Sequence, residues 1–124
     1  MEGINQVFWE NGNLYKEFIC TGNKLNGYLK MWNSSKQLIR SSYYEDNKLT
    51  GEMKVWRDDR SLSLCCNFHN GMRNGLFTNF HRNGNISSQC IYKDDCIDGL
   101  YQQFDENFQL VREERYINGV KLSL

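Results

Sequence analysis

The chain has 124 residues, is 40% hydrophobic and 14% aromatic, and carries 15 basic and 15 acidic residues for a formal net charge of zero. That is enough apolar material for one domain with a modest core, and too much for a disordered chain. A nucleic-acid binder would show a basic excess, so that class is set aside.

No apolar run approaches the roughly 18 residues of a transmembrane helix. The opening MEGINQVFWENGN has no basic stretch followed by an apolar one, so no signal peptide is expected. The expected setting is intracellular and cytoplasmic. There the five cysteines (Cys20, Cys65, Cys66, Cys90, Cys96) are free thiols rather than a disulfide framework. Acidic residues gather between Asp94 and Glu114, while Lys24 to Lys54 is mildly basic; both read as solvated faces, with partner steering as the alternative.

In chain order, GINQVF (3–8) is rich in aromatic and branched residues, as strands are. The turn ENGN (10–13), a strand from Leu14 to Cys20 and the turn GNK (22–24) follow. At Gly27 the order restarts with GYLKMW (27–32), NSSK (33–36), LIRSSYY (38–44) and EDNK (45–48). A third pass gives GEMKVW (51–56), RDDR (57–60), a strand from Leu62 to Phe68, and HNGM (69–72). A fourth gives GLFTNF (75–80), RNGN (82–85), ISSQCIY (86–92) and KDDC (93–96). The fifth runs from Gly99 to Phe104, through DENF (105–108) and a strand from Leu110 to Tyr116, to INGV (117–120).

The repeat is 24 residues long. Its glycine column is Gly3, Gly27, Gly51, Gly75 and Gly99. An aromatic column holds Phe8, Trp32, Trp56, Phe80 and Phe104. An aliphatic column holds Leu14, Leu38, Leu62, Ile86 and Leu110, and a second aromatic column holds Tyr44, Phe68, Tyr92 and Tyr116, with Cys20 in the first unit. Apolar residues do not recur at helical spacing, and proline and alanine are absent, which suits a continuous sheet. The expected fold is all-β: an elongated single-sheet meander of five tandem β-hairpins in one domain, with units 3–26, 27–50, 51–74, 75–98 and 99–122. Each aromatic column is expected to stack as a file along the sheet. Counting parity along one strand puts the aliphatic column on the face of the tyrosine column. In HNGMRNG (69–75), Asn70-Gly71 is the hairpin corner and Gly75 opens the next unit, with Asn74 merely preceding it.

The order glycine, aromatic, Asn-Gly, Leu, Tyr, Asn-Gly resembles the MORN (membrane occupation and recognition nexus) repeat. It is closest to the longer variant of bacterial antitoxin-like and large-DNA-virus proteins. The match is clearest over 75–104 and extends from residue 3 to about 122. The resemblance implies an elongated all-β array without catalysis, used for protein–protein contact, scaffolding or membrane-proximal assembly. The first unit departs from the pattern at Cys20 and the last at Phe108, where units one and four carry a turn glycine, as capping repeats do.

No catalytic, metal or cofactor residue is expected. Cys65, Cys66, His69, His81, Cys90 and Cys96 lie close in sequence but lack the paired spacing of zinc knuckles. Cys66 and Cys90 share a column, one hairpin apart, too far for a disulfide. His69 and His81 sit in variable columns, as outward or turn positions do. Lys30 and Lys54 form a short basic stripe that ends at Thr78 and Gln102, which leaves a membrane surface as a less favoured partner. The ends offer Ile4, Trp9, Leu122 and Leu124 to a protein partner, or to edge-to-edge self-association. The functional expectation is a non-catalytic scaffold, including a component of a larger complex or virion. The alternatives are a peripheral phospholipid-associated adaptor and an antitoxin-like inhibitor of a partner enzyme.

Overall fold

The computed structural model of the chain describes residues 2–123, so the expected partner residue Leu124 lies outside the described residues. Thirteen strands form one antiparallel sheet. They are β1 (Glu2–Phe8), β2 (Leu14–Thr21), β3 (Lys24–Trp32), β4 (Leu38–Glu45), β5 (Lys48–Leu49), β6 (Gly51–Trp56) and β7 (Leu62–His69), followed by β8 (Met72–Arg73), β9 (Gly75–Phe80), β10 (Ile86–Lys93), β11 (Cys96–Phe104), β12 (Leu110–Ile117) and β13 (Val120–Lys121). Strands neighbouring in sequence neighbour in the sheet, with β5 on β4 and β8 on β7. This is the expected meander, and each second strand starts at the aliphatic column.

The glycine column marks a bend rather than the start of a strand. After each second turn the chain pairs backward first: Tyr44 with Leu49, Phe68 with Arg73, and Tyr92 with Ile97. It then swings at the glycine to pair forward, Gly27 with Tyr44, Gly51 with Phe68, Gly75 with Tyr92 and Gly99 with Tyr116. The swing needs a left-handed residue, and Gly27, Gly51, Gly75 and Gly99 have φ of 123°, 73°, 93° and 118°. At Gly27 an added Cβ would also come within 3.1 Å of Ile19. The second aromatic column is thus the cross-strand partner of the glycines, which is why the two recur together.

One expectation is corrected. Near the start of every second strand the ladder shifts register by one residue, between Met31 and Trp32 in unit two and at the equivalent place in the others. This bulge makes the aliphatic residue the direct partner of the aromatic one: Phe8 with Leu14, Trp32 with Leu38, Trp56 with Leu62, Phe80 with Ile86, and Phe104 with Leu110. Direct partners share a face, so Leu38 lies with Trp32 and away from Tyr44. The parity count fails because it runs across the inserted residue. The expected file of rings is instead a row in which aliphatic and aromatic side chains alternate from strand to strand.

The interior is a different column. Ser42 and Cys66 are fully buried and Cys90 is 5% exposed, whereas both aromatic columns are half-buried or exposed. These small residues face Leu29, Met53 and Phe77 across the ladders. Long side chains close over them. Arg40 Nη2 donates to the Tyr44 hydroxyl at 3.0 Å, and the Arg73 guanidinium lies 4.4 Å from the centre of the Tyr92 ring. The Tyr92 ring in turn packs on Phe77 at 5.2 Å. A sheet one layer thick gains a core by keeping its central column small and its flanks long. Burial pushes the Cys66 thiol up to about 11 despite the pull of Arg40 and Arg73. Free, buried Cys66 and Cys90 are therefore packing groups.

A candidate binding edge lined by tryptophan

The first turns of the five units line one long edge of the sheet. Each closes with the same two backbone bonds; in unit one the Trp9 N–H donates to Asn13 O at 2.8 Å and the Gly12 N–H to Trp9 O at 2.9 Å. The geometry forces the corner position left-handed: Gly12, Lys36, Arg60, Gly84 and Phe108 have φ of 88°, 68°, 74°, 92° and 61°. Glycine accepts this freely, and Lys36, Arg60 and Phe108 do so at a cost.

Each turn also fastens to the next. Trp9 Nε1 donates to Trp32 O at 3.0 Å, Arg57 Nη2 to Phe80 O at 2.5 Å, and His81 Nε2 lies 2.9 Å from Phe104 O. A carbonyl only accepts, so His81 holds its proton on Nε2. In unit two Asn33 Nδ2 reaches Asp58 Oδ1 at 3.2 Å. In unit five the column holds Asp105, a pure acceptor, which takes the N–H groups of Asn107 and Gln109 within its own turn. A second fastening belongs to the Asn-Gly-Asn turns. Asn11 and Asn13 both donate to Ser34 O, at 3.1 and 2.9 Å, and Asn83 and Asn85 both donate to Glu106 O at 2.8 Å.

The second-turn edge is laddered as well. The N–H groups of Asn47, Gly71, Asp95 and Gly119 donate to the carbonyls of Leu25, Leu49, Arg73 and Ile97 one unit earlier. Where the turn residue is Asn47 or Asp95, its side-chain oxygen accepts the N–H of Leu25 or Arg73 in return, each at 2.7 Å. Asn74 does more than precede Gly75: its Nδ2 donates to Asp94 Oδ1 at 3.1 Å, as Asn26 does to Asp46 at 3.3 Å.

Along the first-turn edge run three open grooves. One is bounded by Trp9, Glu10, Asn11 and Ser34. The next, of about 430 Å³, is bounded by Leu14, Trp32 and Lys36 with Gly12 and Asn13. The third, of about 380 Å³, is bounded by Leu38, Trp56 and Arg60 with Lys36 and Gln37. Lys36 borders the second and third, so those two form one trough, and the Trp9 groove lies on the same edge. The chain has three tryptophans, and all of them lie here. The two left-handed cations stand over the same trough. Rigid aromatic walls with cations at the rim suit the capture of an extended segment.

The other expected positions fall as follows. His69 is exposed at a second turn and His81 is committed to the seam. Among the described residues no three His, Cys, Asp or Glu side chains gather as metal ligands would. Lys54 pairs with Glu52 at 3.5 Å, and Lys30 lies 5.1 Å from the centre of the Tyr28 ring. Thr78, where the basic stripe ends, is 6% exposed. Ile4 is 66% exposed, Leu122 39% and Trp9 37%. Two acidic groups are held well ionised. Asp59 lies at about 2, through hydrogen bonds from Ser61 and then the charge of Arg82, and Glu114 at about 2, through the Tyr116 hydroxyl, then Arg112 and Lys121.

A family model for the MORN repeat variant matches residues 1–18 and 73–94. Each matched segment contains an Asn-Gly-Asn turn that donates two side-chain amides to the next unit. None of the curated proteins matches the chain. The trough was not expected from sequence. Its signal was the placement of every tryptophan in the first three units, beside a corner column where Lys36 and Arg60 replace glycine.

Proposed function

From a chain that carries MORN-variant repeats, we propose a non-catalytic scaffold that takes up a protein partner along its tryptophan-lined edge. Such repeats serve protein or membrane interactions in general and are not an enzymatic type. The observation that carries the reading is the trough holding Trp32 and Trp56 beneath Lys36 and Arg60, with the Trp9 groove on the same edge. Two cations displace glycine where the backbone favours glycine, and strain of that kind is retained where a side chain is useful. The preferred partner is an extended, acidic segment of another protein in an intracellular assembly, a virion included.

The test is crosslinking capture from the native source with the parent chain and with Lys36→Glu/Arg60→Glu. The charge-reversed pair gives up the Arg60 Nε bond to Gln37, keeps the backbone bonds of both turns, and should keep its circular dichroism. Partners held by the trough are lost from the variant and quench tryptophan emission in the parent. Equal capture by both chains refutes the reading. A second reading, attachment to an anionic membrane, draws on the same pairing of tryptophan with lysine and arginine. It requires salt-sensitive sedimentation with anionic vesicles and none with neutral ones.

A further inference from the structure

We propose that copies of this chain join head to tail, with β1 of one copy adding to the outer edge of β12 of another in the register of the internal seams. The chain contains four seams between units, and they step uniformly: Glu17 faces Lys30, Ser41 faces Lys54, Cys65 faces Thr78, and Gln89 faces Gln102. One further step places Glu113 opposite Gln6 of a second copy, Arg112 opposite its Val7 and Glu114 opposite its Asn5.

Among the described residues both surfaces are open: β1 pairs with β2 alone. On the outer side of β12, β13 covers only Tyr116 and Ile117, and the Leu122 N–H takes Arg115 O. Leu110 to Glu114 keep a free edge, and a groove of about 650 Å³ lies between Arg112–Arg115 and the tail at Leu122. That groove is the slot a sixth first strand would fill. Leu122 and Ser123 stand where residues 2 and 3 of the incoming copy would continue, so the joint begins at Asn5 and is shorter than an internal seam.

The side chains match. Leu14, Leu38, Leu62 and Ile86 are half-buried beside the aromatic residue of the following unit, whereas Leu110 is 51% exposed. Trp32, Trp56, Phe80 and Phe104 are half-buried beside the aliphatic residue of the preceding unit, whereas Phe8 is 55% exposed. The joint brings these two unmatched members together. Gln6 already donates to Glu17 and Gln102 to Glu113, at 2.7 and 2.8 Å, so the Gln6 amide has its second hydrogen for Glu113 of the neighbouring copy. The two surfaces differ, so the joint does not close on itself at two copies, and each copy adds roughly 45–50 Å.

The experiment uses two blocked chains. Asn5→Glu sets a carboxylate against Glu114 and blocks the head; Leu110→Glu sets one against Phe8 and blocks the tail. In sedimentation velocity the parent should grow with concentration, and each blocked chain alone should stay monomeric, weakened more than about tenfold. An equimolar mixture should form dimers and stop there, since each chain keeps one open end. A parent that stays monomeric, a blocked chain that dimerises alone, or a mixture that fails to pair overturns the proposal. Gln6→Lys is the independent check, because it copies the lysine of units two and three opposite Glu113. It should tighten association severalfold at low salt and lose that gain at high salt; no change refutes the register.

Discussion

Lys36 and Arg60 are the residues at which local cost and use meet. A left-handed conformation costs a side-chain-bearing residue about 1–2 kcal/mol, and glycine returns part of that through the freedom of its unfolded state. Lys36→Gly should therefore raise stability by roughly 0.5–1 kcal/mol, read as a higher urea midpoint, while it removes one cation from the trough. A lower midpoint would show that the lysine is held by contacts rather than strained. Glu114 makes the opposite case, a residue whose charge the fold protects. Its carboxyl lies at about 2 in the folded chain, below the ordinary value, because Tyr116, Arg112 and Lys121 hold the ionised form. A depressed folded value gives stability that is full above the unfolded carboxylate range and is lost as pH falls through 4 towards 2. Glu114→Gln should thus unfold more easily than the parent at pH 6, and the gap should close near pH 2. A gap that persists at pH 2 would assign the effect to shape rather than charge.

The element that repeats is the turn with its fastening to the next unit, and here sequence was informative about one edge and silent about the other. Asn70-Gly71 is legible as a corner because both residues must be left-handed, and they are, with φ of 52° and 79°. The column of Trp9, Asn33, Arg57, His81 and Asp105 looks unconstrained because size, charge and polarity all vary along it. What the geometry demands in units one, three and four is an N–H that reaches a carbonyl, and Trp, Arg and His each supply one. His81→Leu should cost about 0.5–1.5 kcal/mol by leaving Phe104 O without its donor, and His81→Arg should be near neutral. Equal losses in both variants would deny the hydrogen bond its role. The aromatic columns were legible as positions, but their degree of burial was not, because it depends on what covers each face of the sheet. Phe80 is half-buried, so Phe80→Ala should cost about 2 kcal/mol in chemical denaturation, below the roughly 3–5 kcal/mol of an enclosed phenylalanine. A loss in the enclosed range would return the core to the aromatic row.

At the scale of the molecule, every fastening described joins a unit to its neighbour: the turn bonds reach one unit on or back, and the buried column passes from strand to adjacent strand. The period was legible because glycine, aromatic and aliphatic residues hold their places through five units. The face assignment was not, because a single inserted residue per unit leaves no mark on a repeat of constant length. Nearest-neighbour stability has a direct consequence. Deleting residues 51–74 joins Thr50 to Gly75 and preserves each column, each bulge and the direction of each strand. Ser42 then lies beside Cys90 in the buried column, and Asn33 meets the first turn of the fourth unit. The shortened chain should fold with the strand signature of the parent, and its urea m-value should fall to roughly four fifths, in proportion to the surface it buries. Deleting residues 63–74 removes half as much chain and should do more harm. It joins Leu62 to Gly75, so a strand that opens a unit must run where a strand that closes one belongs, and the turn ladders of both edges meet the wrong partners. That chain should lose its cooperative unfolding transition. If the 24-residue deletion unfolds the protein while the shorter one is tolerated, stability does not reside in seams between neighbouring units.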